Sequence, residues 1–368
     1  MTAKLPFPLP SPALSRRDLL AGLGGLGLSA VGWSSVPRSA AAAGRASLLT
    51  WRGYDRAGFF RAYRDSHKQS PKISLFDEIG EARNTLRSGA RPDLVHPCYE
   101  TVAGWREEGL LQGIDTARLS FWGGIFPRLR ELPGTREGWR TWFVPFDWGQ
   151  TAIAYRSDLV SGGDSVESWS LLWDSRYEGR IGLVDLAEDG WWTAAIHAGV
   201  ARERLDLAAL REVRSALDRQ RPLVRLYGHP LELETALAEG EIVAALVWND
   251  SVLRLRRRGV PVAFADPVEG TLAWCCGLVM HKDAPAFVEA HDLVNAMIAP
   301  ETGAELIRSF GYGHANRLAF DRVGDDVLAA LGLPRRPMAT LERALFVGPQ
   351  SPEVTARIAS DWQAVVGG

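Results

Sequence analysis

The sequence lacks a strong excess of charge of either sign. Its 368 residues include 42 Lys and Arg against 44 Asp and Glu, which gives a formal net charge of −2. Proteins that bind nucleic acid or an anionic membrane usually present a basic surface that attracts the partner from a distance. The near balance of charge argues against both kinds of partner, and we expect no nucleic-acid ligand.

The compositional bias of a disordered chain or of a multi-span membrane protein is also missing. Hydrophobic residues make up 46% and charged residues 23% of the chain, which is ordinary for a globular protein. At 368 residues, the chain is longer than one hydrophobic core usually serves. Composition and length together predict a soluble globular protein of two lobes.

The motifs that commonly mark catalytic and metal sites are absent as well. The sequence has no phosphate-binding loop, no Gly-x-Ser-x-Gly turn and no His-Glu-x-x-His helix. Its histidines show no metal-ligand spacing with the three cysteines. We therefore expect no enzyme, no cofactor and no metal. A hydrolase built from scattered residues and a sensor or scaffold subunit stay open as alternatives.

The first 43 residues are predicted to be an export signal. Paired arginines, Arg16 and Arg17, precede an apolar, Gly-rich stretch from Leu19 to about Val31, and small residues follow at Ser39–Ala43. This order is typical of a signal for the twin-arginine route. The apolar stretch is shorter than the roughly 20 residues that a spanning helix needs. Cleavage near Ala43 predicts a free periplasmic protein without a lipid anchor, since no cysteine lies there.

Strand-like and helix-like segments alternate along the rest of the chain. Predicted strands are Ser47–Trp51, Ile73–Phe76, Pro92–Val95, Arg180–Val184, Glu241–Val247 and Val260–Phe264, with helices near Glu81–Arg87, Leu231–Ala238 and Ser251–Arg258. Such alternation favours α/β architecture with mostly parallel sheets flanked by helices. Two longer apolar stretches, Trp142–Tyr155 and Leu272–Met280, are either crossings between lobes or simply central strands.

Aromatic and acidic residues recur just after the predicted strands. The chain holds 14 tryptophans, and residues of these two kinds follow strand ends at Trp51 and Tyr54, at Tyr99 and Glu100, at Asp185, and at Trp248 and Asp250. Ligands of open α/β sheets sit beyond the carboxyl ends of the strands. Ring faces attract ammonium groups and carboxylates form charge-assisted hydrogen bonds with them. The pattern predicts a site for a cationic ligand, whereas any single tryptophan is more commonly a core residue.

At these segments the chain resembles the periplasmic spermidine/putrescine-binding proteins of ABC importers. The similar segments, in order, are Thr50–Tyr54, Pro92–Pro97, Glu107–Leu111, Val144–Ile153, Ser168–Trp173, Glu239–Ser251, Glu269–Trp274 and Phe310–Tyr312. The resemblance spans about Leu48 to Asn316. It implies a two-lobed type II periplasmic-binding fold with two crossover hinge segments. The implied lobes are residues 44–148 with 267–318, and residues 149–266 with 319–368.

The resemblance also implies which residues contact the ligand. It keeps the aromatic residues of the family but rearranges the acids, because Gly53 and Cys276 occupy positions that are acidic in the family. Glu100, Asp147 and the segment from Asp185 to Asp189 are the candidate replacements. The predicted ligand-binding set is Trp51, Tyr54, Cys98, Glu100, Asp147, Trp148, Asp185, Asp189, Trp248, Trp274, Cys276 and Tyr312.

The same register bears on the three cysteines, Cys98, Cys275 and Cys276. It places Cys98 and Cys276 on the cleft side of one lobe, and a disulfide between them is one hypothesis. The alternative is that Cys275 and Cys276 lie on opposite faces of a strand as small buried residues.

The resemblance implies a function in transport. We expect the substrate-binding component of an ABC importer, a monomer that captures a polyamine, or a related cationic amine, and delivers it to membrane permease subunits. A different small amine or a non-polyamine solute is the alternative ligand.

Overall fold

The computed structural model describes residues 44–138, 140–161, 166–201 and 205–367. The predicted export signal and its cleavage site lie outside these ranges. In the described ranges, no helix combines the length and apolar character needed to cross a bilayer.

The strands agree closely with the apolar segments of the sequence. They are β1 Ser47–Trp51, β2 Lys72–Phe76, β3 Leu94–Val95, β4 Leu111–Gln112, β5 Arg136–Glu137, β6 Arg140–Thr141, β7 Val144–Arg156, β8 Ile181–Val184, β9 Val224–Gly228, β10 Ala244–Trp248, β11 Val262–Phe264, β12 Leu272–His281, β13 Gly313–His314 and β14 Leu345–Phe346.

Helices separate most of the strands. They are α1 Arg61–His67, α2 Ile79–Arg87, α3 Val102–Glu107, α4 Pro127–Arg130, α5 Ala187–His197, α6 Leu207–Gln220, α7 Pro230–Glu239, α8 Asn249–Arg257, α9 Phe287–Met297, α10 Pro300–Phe310, α11 Asp325–Leu331, α12 Met338–Arg343 and α13 Pro352–Val366. Short 3₁₀ turns lie between them, of which Tyr99–Thr101 is the one that matters for the site.

One mixed sheet runs through the molecule in the order β2-β1-β3-β12-β7-β10-β8-β9. The outer strands pair in parallel, β1 with β2 and β3, and β8 with β9 and β10. The two long strands at the centre, β7 and β12, run antiparallel to each other and to their neighbours β10 and β3. The α/β fold expected from the alternating segments is therefore confirmed.

The two long apolar stretches are both central strands and crossings. Strand β12 pairs with β3 at one end and with β7 along most of its length, and β7 continues beyond it to pair with β10. Both are buried almost throughout, which explains why they read as continuous apolar runs without alternation. They connect the two groups of parallel strands.

The buried side chains form two hydrophobic clusters. The first packs around β1, β3 and the first half of β7, and the second around β8, β10 and the second half of β7. Helices α11 and α12 contribute buried residues to the first cluster, whereas α13 contributes Ile358, Trp362 and Val365 to the second. The lobe limits stay a prediction, and this packing favours moving α11 and α12 into the first lobe.

Candidate functional site

The carboxyl ends of the parallel strands converge on the middle of β7 and β12. From the first cluster, the segment after β3 reaches β12, where Cys98 lies opposite Cys276. From the second cluster, β10 ends at Trp248, which lies opposite Thr151 of β7. Residues 147–151 of β7 are thus flanked by strand ends from both clusters, where ligands of α/β proteins bind.

Strand alternation divides this region into two faces. Asp147, Gly149 and Thr151 share one face of β7, and their partners on β12 include Cys276 and Trp274. Most of the predicted site residues belong to this face, which we call the site face.

Trp148 lies on the opposite face and is a core residue. Its side chain is 1% exposed, its indole nitrogen donates to the carbonyl of His314 at 3.2 Å, and it packs over Gly313, where a Cβ would overlap the ring. The predicted ligand contact at Trp148 has no support from this placement, and we leave it out of the site below. Cys275 is buried on the same opposite face.

Aromatic rings form a continuous wall on the site face. The ring of Tyr54 stacks on Phe310 with centroids 4.8 Å apart, Phe310 lies parallel to Tyr312 at 5.9 Å, and Trp274 meets Tyr312 edge-on at 4.7 Å. Phe310 was not predicted, although it lies in one of the segments that resemble the family. The guanidinium of Arg56 lies over the Phe310 ring, 4.8 Å from its centroid, so the partly exposed ring of Trp274 is the one on which a methylene chain or an ammonium group can lie.

Gly149 allows Trp274 to lie flat against β7. A Cβ built at Gly149 would overlap the six-membered ring of the Trp274 indole. The indole of Trp274 is partly exposed, and so is that of Trp51 at the end of β1. Within the described residues, the indole nitrogens of Trp51 and Trp274 have no hydrogen-bond partner.

Trp51 joins the wall through the backbone. Its ring packs on Phe76 at a centroid distance of 4.4 Å, and its carbonyl accepts from the amide of Tyr54 at 3.1 Å. The turn that follows β1 therefore sets the positions of both Trp51 and Tyr54.

Asp147 lies beneath the aromatic wall rather than in it. Its carboxylate is fully buried and both oxygens have partners. One accepts from the hydroxyl of Tyr54 and the other lies 3.1 Å from Nε2 of His96. The other nitrogen of His96 lies 2.9 Å from the hydroxyl of Thr50. Burial and the neighbouring Asp147 charge raise the pKa of Tyr54 well above its usual value, so the phenol keeps its proton.

Through these contacts, Asp147 fixes the position of the Tyr54 ring. Because Asp147 is fully buried beneath the wall, its placement does not support the predicted contact with the ligand. Sequence reasoning did not find Thr50 and His96, because a histidine at the end of a buried strand carries no signal of its own.

Three carboxylates form a negative cluster at one end of the wall. Glu100 projects from the 3₁₀ turn Tyr99–Thr101 after β3, and Glu188 and Asp189 lie in the first turn of α5. Asp189 accepts from the indole nitrogen of Trp248 at 2.8 Å and from the hydroxyl of Thr151 at 3.4 Å. We call Glu100, Glu188 and Asp189 the acidic pole.

The charges of the acidic pole act on each other. Burial, reinforced by the charges of Glu188 and Asp189, raises the pKa of Glu100 to about 8. Burial raises the pKa of Asp189 to about 6, and the charge of Glu188 adds to this rise, whereas the hydrogen bond from Trp248 opposes it. In the described part of the chain, none of the three forms an ion pair with Lys or Arg. The pole can therefore accept a cation.

Asp185 lies near the acidic pole in sequence, but its carboxylate contacts the last helix instead. Its carboxylate accepts from the indole nitrogen of Trp362 in α13 at 2.8 Å. A Cβ at Gly190 would overlap the same Trp362 ring. Asp185 and Gly190 thus anchor the last helix against α5, and the placement of Asp185 does not support the predicted ligand contact.

The cysteine hypothesis is confirmed by the structure, which contains a disulfide between Cys98 and Cys276. Cys275 is the free cysteine and is buried. The neighbours Cys275 and Cys276 do point to opposite faces of β12, as the alternative also required.

Comparison with known proteins places this geometry in a family. The model of the family described as bacterial extracellular solute-binding protein matches residues 100–323, more than half of the chain. The chain belongs to this family. The match covers both crossing strands, the acidic pole and most of the aromatic wall of this solute-binding protein.

Two curated relatives are similar to the solute-binding protein over much of its length. The spermidine/putrescine-binding periplasmic protein of Escherichia coli (strain K12) is 28% identical over 235 residues, which is 64% of this chain and 66% of the relative, just under two thirds of its length. The putrescine/agmatine-binding protein of Pseudomonas aeruginosa is 24% identical over 332 residues, 85% of this chain and 90% of the relative.

A solved structure confirms the fold. The spermidine/putrescine ABC transporter substrate-binding protein of Streptococcus pneumoniae aligns with a TM-score of 0.77 at 16% identity and covers 88% of this chain and 98% of its own. At this identity the likeness establishes architecture, and the expected type II periplasmic-binding fold is confirmed.

Proposed function

We propose that this solute-binding protein captures a small organic cation with one or more ammonium groups, a polyamine of the putrescine or spermidine class. Its acidic pole would bind an ammonium group and its aromatic wall would bind the methylene chain. The observation that carries the proposal is the acidic pole, since three neighbouring carboxylates without a basic partner are stable only when protonated or when a cation neutralises them.

The magnitudes agree with such a ligand. An ammonium group on a ring face contributes about 0.5 to 2 kcal/mol, and a charge-assisted hydrogen bond contributes about 1.5 to 3 kcal/mol. A few contacts of each kind reach the roughly −8 kcal/mol of micromolar affinity. The relatives named as spermidine/putrescine-binding and putrescine/agmatine-binding proteins support the same ligand class.

One observation favours a short ligand over a long one. Away from the acidic pole, Asp147 is held by Tyr54 and His96. Asp250 is neutralised by Arg254, which lies 2.6 Å from one carboxylate oxygen, while the other oxygen of Asp250 has no hydrogen-bond partner among the described residues. A second ammonium group would meet ring faces, or a carboxylate whose charge is already paired with Arg254. A diamine or a single amine should therefore bind at least as well as a polyamine with three or four charges.

Membership of the solute-binding family supports a role in transport. We propose that the protein is a periplasmic monomer, that it delivers its ligand to ABC permease subunits, and that it releases the ligand chemically unchanged. Recovery of the bound amine by mass spectrometry after prolonged incubation tests this point. A chemically altered amine would favour the enzyme alternative.

Calorimetric titration at pH 8 with putrescine, spermidine, spermine, n-butylamine and γ-aminobutyrate tests the ligand class. We expect saturable heat with putrescine at micromolar Kd, and weaker binding by Glu100→Gln than by the matched control Glu107→Gln, which changes an exposed residue of α3. Absence of binding by every amine would remove the proposal, and preferential binding of γ-aminobutyrate would redirect it to zwitterions.

A further inference from the structure

The disulfide joins two segments that both belong to the site. Cys98 follows β3, and Cys276 lies in the crossing strand β12, 178 residues later in the chain. The backbones are also bonded, because the amide of Gly277 donates to the carbonyl of Pro97 at 2.9 Å. The segment that leaves β3 is therefore attached covalently and by hydrogen bonds to the hinge.

Glu100 has little freedom relative to Cys98. The 3₁₀ turn Tyr99–Thr101 is one turn long and begins directly after Cys98. The amide and the hydroxyl of Thr101 both donate to the carbonyl of Cys98, at 3.2 and 2.8 Å. A displacement of Cys98 would therefore carry the Glu100 carboxylate with it.

Neighbouring negative charges disfavour the position of the ionised Glu100 carboxylate. Glu188 and Asp189 face it from α5 and repel its charge. The buried thiol of Cys275 interacts with Asp147 and with Glu100, and burial keeps that thiol protonated by raising its pKa well above the usual value. Among the described residues, the charged groups that act on Glu100 are the carboxylates Glu188 and Asp189, and none is basic. A short turn under such repulsion would move away from α5 unless a strong constraint held it.

We infer that the Cys98–Cys276 disulfide is a positioning element that holds Glu100 in the acidic pole, so that a ligand ammonium group finds three carboxylates already assembled. The inference rests on the proposed function, because it concerns the same ligand. The disulfide would then contribute to affinity. The cross-link prevents the repelled turn from moving away from α5, and a preorganised anion binds a cation more tightly.

The test compares putrescine affinity from pH 5.5 to 8.5 in four forms of the protein: wild type, Cys98→Ser/Cys276→Ser, Cys275→Ala and Glu100→Gln. In the wild type we expect affinity to rise with pH up to about 8, because binding needs the ionised carboxylate. In the double serine variant we expect the inflection of affinity against pH, which lies near pH 8 in the wild type, to move to lower pH. Its affinity at pH 8 should fall about tenfold. Cys275→Ala should behave as wild type.

Two further measurements keep the outcome decisive. Treatment with a dithiol breaks the S–S bond to two thiols while the dithiol becomes a disulfide, and the reduced wild type should reproduce the double variant, with recovery on reoxidation. If the double serine variant does not fold, the reduced wild type takes its place in the comparison. In the Glu100→Gln background, removal of the disulfide should change affinity less than threefold, because the disulfide is inferred to act through Glu100.

An unchanged pH profile after loss of the disulfide, in a protein that still binds putrescine, would overturn the inference and leave the proposed function intact. Absence of amine binding by the wild type would contradict both. A lowered melting temperature with an unchanged inflection would assign the disulfide to stability alone.

Discussion

Gly149 lies directly against the Trp274 ring of the aromatic wall. Replacement by Ala would place a methyl group in the volume of the Trp274 ring. The indole would have to turn away from β7 and from Tyr312, which it meets edge-on. We predict that Gly149→Ala weakens amine binding about tenfold or more, corresponding to a loss of about 1.4 kcal/mol, as measured by calorimetry.

Gly80→Ala is the matched control for that change. Gly80 lies in α2, where a Cβ would meet no atom within 4 Å. The control should bind amine as wild type and gain slightly in stability, since Ala is the better helix former. Equal affinity in the two variants would show that Trp274 does not contact the ligand.

Glu100 should make the unliganded protein less stable as the pH rises. Its pKa is about 8 in the folded state against an ordinary value of 4.5, so between these values the unfolded chain holds fewer protons and the free energy of unfolding decreases with pH. We predict that Glu100→Gln raises the melting temperature at pH 8 by about 2 °C or more, with no gain at pH 4.5. Calorimetric melting of the two proteins at both pH values checks this.

His314 should act in the opposite direction. Burial lowers its pKa from 6.5 to about 4, so below pH 6.5 the unfolded chain holds more protons and stability falls as the pH decreases toward 4. The two windows overlap between pH 4.5 and 6.5, where the two slopes oppose each other, so the melting temperature of the wild type should be highest in that range. A wild-type melting temperature that rises steadily to pH 8 would contradict the raised pKa of Glu100.

At the scale of elements, Asn249 connects three parts of the site. It is the first residue of α8, and its side-chain oxygen accepts from the amide of Gln150 in β7 at 3.0 Å. Its side-chain nitrogen donates to the carbonyl of Gly311, between Phe310 and Tyr312 of the wall, at 2.7 Å. The second cluster is thereby bonded to the aromatic wall at the crossing strand.

We predict that Asn249→Ala lowers the free energy of unfolding by about 2 to 4 kcal/mol, because two buried backbone groups lose their partners. Amine affinity should fall as well, since the wall loses one support. Denaturant unfolding and calorimetry measure the two effects. Asn84→Ala, an exposed change in α2, should alter neither, and a similar small effect of both variants would contradict this role of Asn249.

The elements themselves were largely predictable from the sequence. Apolar runs between turn residues located β1 and β10, and the lengths of the two long runs anticipated β7 and β12 as crossings. Local hydrophobicity carries this information because a buried strand must be apolar wherever it packs. The assignment of α11 and α12 to a lobe stays a prediction, since the pattern of an amphipathic helix does not specify which core it covers.

The orientation of individual side chains was harder to predict. Asp147 and Trp148 are neighbours in β7, yet alternation places one under the aromatic wall and the other in the core. A shift of one residue exchanges the two faces, and neither the motif nor composition specifies that choice. Glu100 was predicted because it follows a strand end, and Asp189 because its segment resembles an acidic segment of the family, whereas Phe310 and His96 needed tertiary contacts to be recognised.

At the scale of the whole molecule, the acidic pole connects the two hydrophobic clusters. Glu100 belongs to a segment that packs with the first cluster, and Glu188 and Asp189 belong to α5, which packs in the second. Without a cation, the carboxylates repel each other or hold protons. A bound ammonium group would be attracted to both sides at once, so ligand binding and approach of the two clusters should favour each other.

The most direct test of this account is the number of protons released when putrescine binds. Calorimetry at pH 7 in two buffers of different ionisation enthalpy measures it. Because the pKa of Glu100 is about 8 without ligand, most molecules carry its proton at pH 7, and an adjacent ammonium group should displace it. We predict release of about one proton by the wild type and almost none by Glu100→Gln. Binding heat that is independent of the buffer, or no heat at all, would contradict the assignment of the acidic pole as the cation site.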